Sequence, residues 1–232
     1  MLFEEHAENI ATVLIDGSTI FLLAGVFMVT GIMRKRGRKD DQLFVLLIVL
    51  NTIVAVSDII TYLADGKSFM GARYFNMGGV SVFYMALVMQ CMVWMQYCLE
   101  RFKNELREKK IDHKYLFVPG LIMEAVLVVN FFAGFVFYVD KDNVYHYGVL
   151  FIPMFIVLGF YVIVSFILVG RYRSAGAGRK LIPVWIFFLP LFAGLIVPFV
   201  LGGISLTSIG CAISITFTHL GSASEVADTE GH

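Results

Sequence analysis

Asp58 lies at the end of a stretch that is otherwise largely apolar, Asn51-Thr-Ile-Val-Ala-Val-Ser-Asp58. Asn51, Asp58 and Asp65 recur every seven residues, so on a helix they share a face, and Tyr62, four beyond Asp58, joins them. An ionisable group in such surroundings is expensive and marks a candidate site. No Lys or Arg stands at its depth on any apolar run. Asp58 is therefore expected to be protonated, hydrogen-bonded to a Tyr, Asn or Gln side chain, or wetted from outside. The chemistry open to such a group is the anchoring of a polar ligand. Asn76 at the head of the next run, Asn130 two runs on, and Tyr138 and Tyr145 in the adjoining loop fall at the same end of the bundle. The expected pocket lies in the outer half, among helices two to five. Asp58 and Tyr62 form its polar anchor and Asn76 its rim, while Asn130, Tyr138 and Tyr145 make ligand or loop contacts.

Other polar residues fit less specific roles. Asn76, Phe83, Gln90 and Tyr97 form a second stripe at intervals of seven, and side chains of this kind often tie helices together at about 1 kcal/mol each. Glu124 falls near mid-membrane, and its spacing of six from Asn130 puts the two on different faces. With Asp58 at another depth it could carry protons past a central site, which is the alternative reading, a small secondary transporter. Asp16 falls near the outer edge of the first run, where hydration is expected. The loop 138–148 concentrates Tyr, His and Asp, as an aromatic belt with a turn would. His146 with Asp140 and Asp142 has no spacing that fixes a metal, and no metal or other cofactor is expected.

The elements that must position these residues are set by composition. The chain has 232 residues, 59% of them hydrophobic and 16% charged, with a mean hydropathy of +0.81. A soluble domain of this length has too little polar surface to cover that much apolar side chain. Lipid is the natural solvent, and with a net charge of zero no nucleic-acid partner is indicated. Crossing a hydrocarbon core takes about 20 apolar helical residues. Seven runs approach that length, at 11–33, 43–64, 74–99, 115–139, 149–170, 181–201 and 204–220. The last is short and rich in Ser and Thr, whose hydroxyls can bond back to their own helix. The expectation is an all-α seven-helix bundle over 1–220 with a cytoplasmic tail at 221–232.

Charge supplies the orientation. Of the 18 Lys and Arg, 15 lie at 34–39, 101–114 and 171–180, in alternate loops, and the remainder are Lys67, Arg73 and Lys141. Basic residues are retained on the cytoplasmic side, so the N-terminus is expected outside and the C-terminus inside. Pro119, Pro153 and Pro183 fall near span starts, where a missing N–H costs little. Pro190 and Pro198 fall inside the sixth span and predict a kink, with Pro190 as a candidate hinge. Cys91, Cys98 and Cys211 all sit in apolar runs and suggest no disulfide framework. No basic residue lies within a span, which excludes a retinal Schiff base, and no HExxH, GxSxG or Walker motif is present.

Three segments together carry a resemblance. They are Asn51-Thr-Ile-Val-Ala-Val-Ser-Asp58 with Tyr62-Leu-Ala-Asp-Gly66; Arg73-Tyr-Phe-Asn-Met77; and Asn130-Phe-Phe-Ala-Gly134, Phe137-Tyr-Val-Asp140, Asn143-Val-Tyr145 with Gly148. In this order and spacing they resemble the N-terminal multi-helix membrane domain of GGDEF-type diguanylate cyclases from clostridia-like gut bacteria, over about residues 40–200. The resemblance implies a sensory input domain in a bacterial inner membrane. It would read an extracellular or membrane ligand and act on a cytoplasmic GGDEF domain or signalling partner, as a homodimer. The sequence carries no GGDEF motif after His219, so the cyclase chemistry is not expected of it and no catalytic residue is assigned.

Overall fold

The computed structural model describes residues 2–33, 39–106, 113–172 and 205–230. The helices are α1 (Leu2–Met33), α2 (Lys39–Ala64), α3 (Ala72–Leu106), α4 (Val118–Ala133), α5 (Phe151–Tyr172) and α6 (Thr207–Glu230). A 3-10 turn, His113–Phe117, leads into α4. The expected sixth span, 181–201, with its candidate hinge Pro190, lies outside the described residues.

Among the described residues, five helices are long and apolar enough to cross a membrane, over Asn9–Val29, Lys39–Ala64, Ala72–Glu100, Lys114–Ala133 and Phe151–Leu168. Large apolar side chains point outward along them, among them Phe21, Leu14, Ile122, Phe132, Ile152 and Ile163. A patch of this extent around a whole bundle is what a lipid-facing surface requires. In α6 the apolar part is shorter, Thr207–Thr218, but the helix runs unbroken to Glu230. Residues 221–230, within the expected cytoplasmic tail at 221–232, continue the same helix.

Two helices organise the packing. Among the described residues α2 packs chiefly on α1, α3 and α6, and α3 chiefly on α2, α4 and α5. One core gathers Leu23, Phe44, Leu47, Trp94, Tyr97, Cys211 and Ile215 from α1, α2, α3 and α6. The other gathers Leu87, Met95, Leu127, Phe137, Met154 and Tyr161 from α3, α4, the hairpin and α5. The central helix is the most enclosed, with 61% of its apolar window buried against 22% for α4. Close approach is arranged by glycine. A Cβ on Gly79 would stand 2.6 Å from Thr61 Oγ1 and 3.1 Å from the Ser57 carbonyl oxygen, so α3 can meet α2 at this distance only without a side chain there.

The fourth span is shorter than the expected 115–139. The helix stops at Ala133 because Gly134 takes a left-handed conformation, φ 68°, with its N–H on the Asn130 carbonyl. Beyond Gly134 the chain forms an antiparallel hairpin, β1 (Phe137–Val139) and β2 (Tyr145–Tyr147), with Phe137 opposite Tyr147 and Val139 opposite Tyr145. Phe137 and Val139 turn inward and Tyr138 outward, the alternation a strand imposes. The loop expected to be a turn in an aromatic belt is thus the only β structure among the described residues.

Candidate functional site

The residues expected to line one pocket fall into two groups. The first is a latch that holds the hairpin across the ends of α2 and α3. Asn130 is fully buried; its Oδ1 accepts from Val136 N–H at 2.6 Å and its Nδ2 donates to the Phe137 carbonyl at 3.0 Å. Asn76, also fully buried, donates from Nδ2 to Asp65 Oδ1 at 2.7 Å and to the Asn143 carbonyl at 3.0 Å. Asn143 adopts φ 63°, a left-handed conformation that asparagine tolerates. Its Nδ2 donates to the carbonyls of Ala64, at 2.6 Å, and Lys67, at 3.0 Å. The Ala64 carbonyl ends α2, where a helix leaves carbonyls without internal partners, and it accepts from Lys67 N–H as well, at 3.1 Å. Tyr145 N–H donates to Asp65 Oδ1 at 3.1 Å, and its hydroxyl lies 2.9 Å from that of Tyr84. Burial pushes the Tyr145 phenol above its ordinary range, reinforced by Tyr84. Tyr138 stacks on His146 with ring centroids 5.2 Å apart. Asn130 and Tyr145 thus have partners within the fold, as does Asn76 Nδ2, whereas Asn76 Oδ1 has none among the described residues.

At the hairpin tip Asp140 organises the loop. Its Oδ1 accepts from the N–H groups of Asp142 and Val144, each at 2.9 Å, and its Oδ2 lies 2.7 Å from His146 Nε2. The Val144 amide, and then His146, hold this carboxyl below its ordinary range. Among the described residues no group of three or more His, Cys, Asp or Glu could hold a metal.

The second group lies between α1, α2 and the start of α6. Asp16, expected to be hydrated, is instead fully buried, because α6 covers that face of α1. Ser208 Oγ donates to Asp16 Oδ1. Asp58 is 6% exposed and hydrogen-bonds Ser205. The two carboxyls are near enough to act on each other electrostatically. Asn51, fully buried, donates from Nδ2 to the Ser208 carbonyl at 3.0 Å. Ser205 N–H reaches Thr12 Oγ1 at 3.4 Å, and Tyr62 hydrogen-bonds Thr12. Three oxygens in this cluster have no hydrogen-bond partner among the described residues: Asp16 Oδ2, Asp58 Oδ2 and Asn51 Oδ1. The seven-residue stripe on α2 is therefore divided. Asn51 and Asp58 face α1 and α6, whereas Asp65, just past the helix end, serves the hairpin. Sequence reasoning missed Asp16 and the serines as members of one site. The available signal was the absence of any cation beside two acidic residues in neighbouring spans.

Glu124 stands apart. It belongs to α4, which packs on α3 and α5, and both its carboxyl oxygens lack a hydrogen-bond partner among the described residues. Gln90 hydrogen-bonds Cys211, and both line a cavity of ≈ 20 Å³ with Leu47, Leu87 and Trp94, room for about one water. The chain matches no protein-family model, curated protein or solved structure.

Proposed function

We propose that the chain is a signal-transducing membrane domain of the plasma membrane, with seven spans, the N-terminus outside and the C-terminus in the cytoplasm. The observation that carries this reading is α6. Its first turn is tied to α1 and α2 through Ser208, by way of Asp16 and Asn51, and the same helix continues unbroken to Glu230. A helix of that length is about 36 Å long; its apolar part, Thr207–Thr218, makes up half of it, and the remainder carries the rod onward to the aqueous side. A change in occupancy or charge at the Asp16–Asp58 cluster acts directly on the near end of this rod. Rigid helices that shift between two packings are a standard means of transmitting such a change. The 15-to-3 distribution of basic residues supports the orientation. In this reading the ligand is a small species met from outside or from the membrane. The output is a cytoplasmic GGDEF domain or separate partner, engaged by a homodimer as the family resemblance implies. Catalysis is no part of the proposed role.

A fusion tests it. A GGDEF cyclase domain joined behind residue 230 is expected to give cyclic di-GMP output in cells that changes on Asp58→Asn. Output indifferent to that substitution, from a fusion that is active and inserted, would remove the signalling role. Orientation is read separately from Leu220→Cys with the native cysteines replaced. A membrane-impermeant maleimide is expected to label it only after lysis, and labelling of intact cells would reverse the topology.

The transporter reading draws on the buried carboxyls alone. Asp58 belongs to α2 and Glu124 to α4, and both helices pack on α3. Ion-driven uptake in proteoliposomes would nonetheless replace signalling as the function.

A further inference from the structure

The Asp16–Asp58 cluster raises a problem of charge. Two carboxylates lie buried between helices, and among the described residues no Lys or Arg acts on either. The start of α6 contributes the partial positive charge of a helix N-terminus, about half an elementary charge. That leaves more than one negative charge uncompensated in a medium where a bare charge is very costly. The remaining neutralisation has to come from protons, from a bound cation, or from both.

The oxygens favour a cation. Asp16 and Asp58 each use one carboxyl oxygen on a serine near the start of α6, and each leaves Oδ2 without a partner among the described residues. Asn51 supplies an independent observation. It is fully buried, its Nδ2 is taken by the Ser208 carbonyl, and its Oδ1 is a buried acceptor with no donor among the described residues. A carboxamide oxygen carries no proton at any ordinary pH, so it is met only by an O–H donor, such as a protonated carboxyl, or by a cation, and one cation serves it and both free carboxyl oxygens together. A donor or a cation must meet it, or the burial costs about 1–3 kcal/mol for nothing. Three unpartnered oxygens from two adjoining helices, beside the hydroxyls of Ser205, Ser208 and Thr12, form the all-oxygen environment that hard cations take. One monovalent cation with one proton neutralises two carboxylates, as a divalent cation alone would, but calcium takes six to eight oxygen ligands and only three oxygens of the cluster lack a partner among the described residues.

We propose that Asp16, Asp58, Asn51 and Ser208 form a binding site for a sodium ion, which shares the carboxyl pair with one proton. Without sodium both carboxyls carry protons. Sodium displaces one of them to solvent, so the exchange is one Na⁺ in for one H⁺ out and the site stays neutral. The ionisable groups within range of Asp58 are Asp16 from α1, Tyr62 from α2 and Tyr84 from α3, while α6 offers hydroxyls. Of these, the carboxyl pair is the one that exchanges its proton. Because Ser208 belongs to both the site and the first turn of α6, occupancy bears on the signalling helix. Sodium binding itself does not depend on the signalling role.

The test uses the full chain in detergent at constant ionic strength. Thermal stability is compared in sodium, potassium, calcium and choline chlorides at pH 8, and proton release is followed in weak buffer. Sodium at about one hundred times its Kd is expected to raise Tm by about 5–10 °C over choline and to release one proton per ion bound. Asp16→Asn and Asp58→Asn are each expected to abolish the sodium response. Should both variants fail to fold, the wild-type chain still decides. The apparent sodium affinity is expected to fall about tenfold per pH unit of acidification, the linkage of a one-for-one exchange. Equal Tm in sodium, potassium and choline, a response to calcium alone, an affinity indifferent to pH, or a sodium response retained in folded Asp58→Asn would each overturn the assignment. Sodium binding with an unresponsive cyclase fusion would keep the site and remove the signalling role.

Discussion

At the scale of single residues, asparagine closes the structure more than any charged group does. Asn130, Asn76 and Asn143 each present polar atoms where backbone groups have lost their partners, at a helix end and at the approach to a hairpin. Asn130→Ala strands the buried Val136 N–H and is expected to cost about 2–4 kcal/mol, measurable by denaturation in detergent. Asn130→Asp keeps the acceptor and is expected to recover part of that loss. Asp140 makes a different prediction, because its charged form is the one that is hydrogen-bonded. Its carboxyl is held below the ordinary range by Val144 N–H and His146. The contribution is therefore complete above the ordinary carboxylate pKa and is lost as pH falls through the lower folded value. The Val144 amide resonance is expected to shift across that acidic window, and Asp140→Asn to flatten the shift.

At the scale of elements, helix packing here is set by where side chains are missing. Gly79 lets α3 approach the backbone of α2 at Ser57 and Thr61, and Gly120 lets α4 approach Met92 of α3 and Tyr161 of α5. The Gly120 N–H also donates to the Tyr161 hydroxyl at 2.8 Å. Gly79→Ala drives a Cβ against backbone that cannot turn aside, and overpacking of this kind costs about 1–3 kcal/mol. Thermal denaturation is expected to show the loss, with only partial relief in Gly79→Ala/Thr61→Ala, because the Ser57 carbonyl remains. At Gly120 the obstacles are the Met92 side chain and the Tyr161 hydroxyl, so Met92→Ala is expected to rescue Gly120→Ala more fully.

At the scale of the whole molecule, two cores share one central helix, and the apolar surface faces outward on every side. Cys91, Cys98 and Cys211 are free and buried within this arrangement, so their reactivity reports global opening. The folded chain is expected to take up no maleimide at these positions on the timescale that labels an exposed cysteine, and all three are expected to react in denaturant, counted by mass spectrometry. Rapid labelling of Cys211 alone would indicate that α6 separates from α1 and α2 without the rest unfolding.

Much of this was legible in the sequence. The five apolar helices announced themselves as continuous hydrophobic runs, because lipid sets a minimum length and tolerates few charges. The polar stripe on α2 was visible as a seven-residue spacing, because helical geometry alone decides which positions share a face. What periodicity cannot supply is the identity of the facing element. Asn76 read as a pocket rim, and Asn130 and Tyr145 as ligand or loop contacts, because polar atoms in an apolar run demand partners. Only the fold brought in a hairpin, shaped by the left-handed Gly134 and Asn143, to provide them. Asp16 read as a hydrated residue near a span edge, and its burial beside Asp58 depends on α6, nearly two hundred residues away in the chain, returning to cover α1. Local chemistry is written residue by residue, whereas the pairing of distant carboxyls is decided by the packing of whole helices.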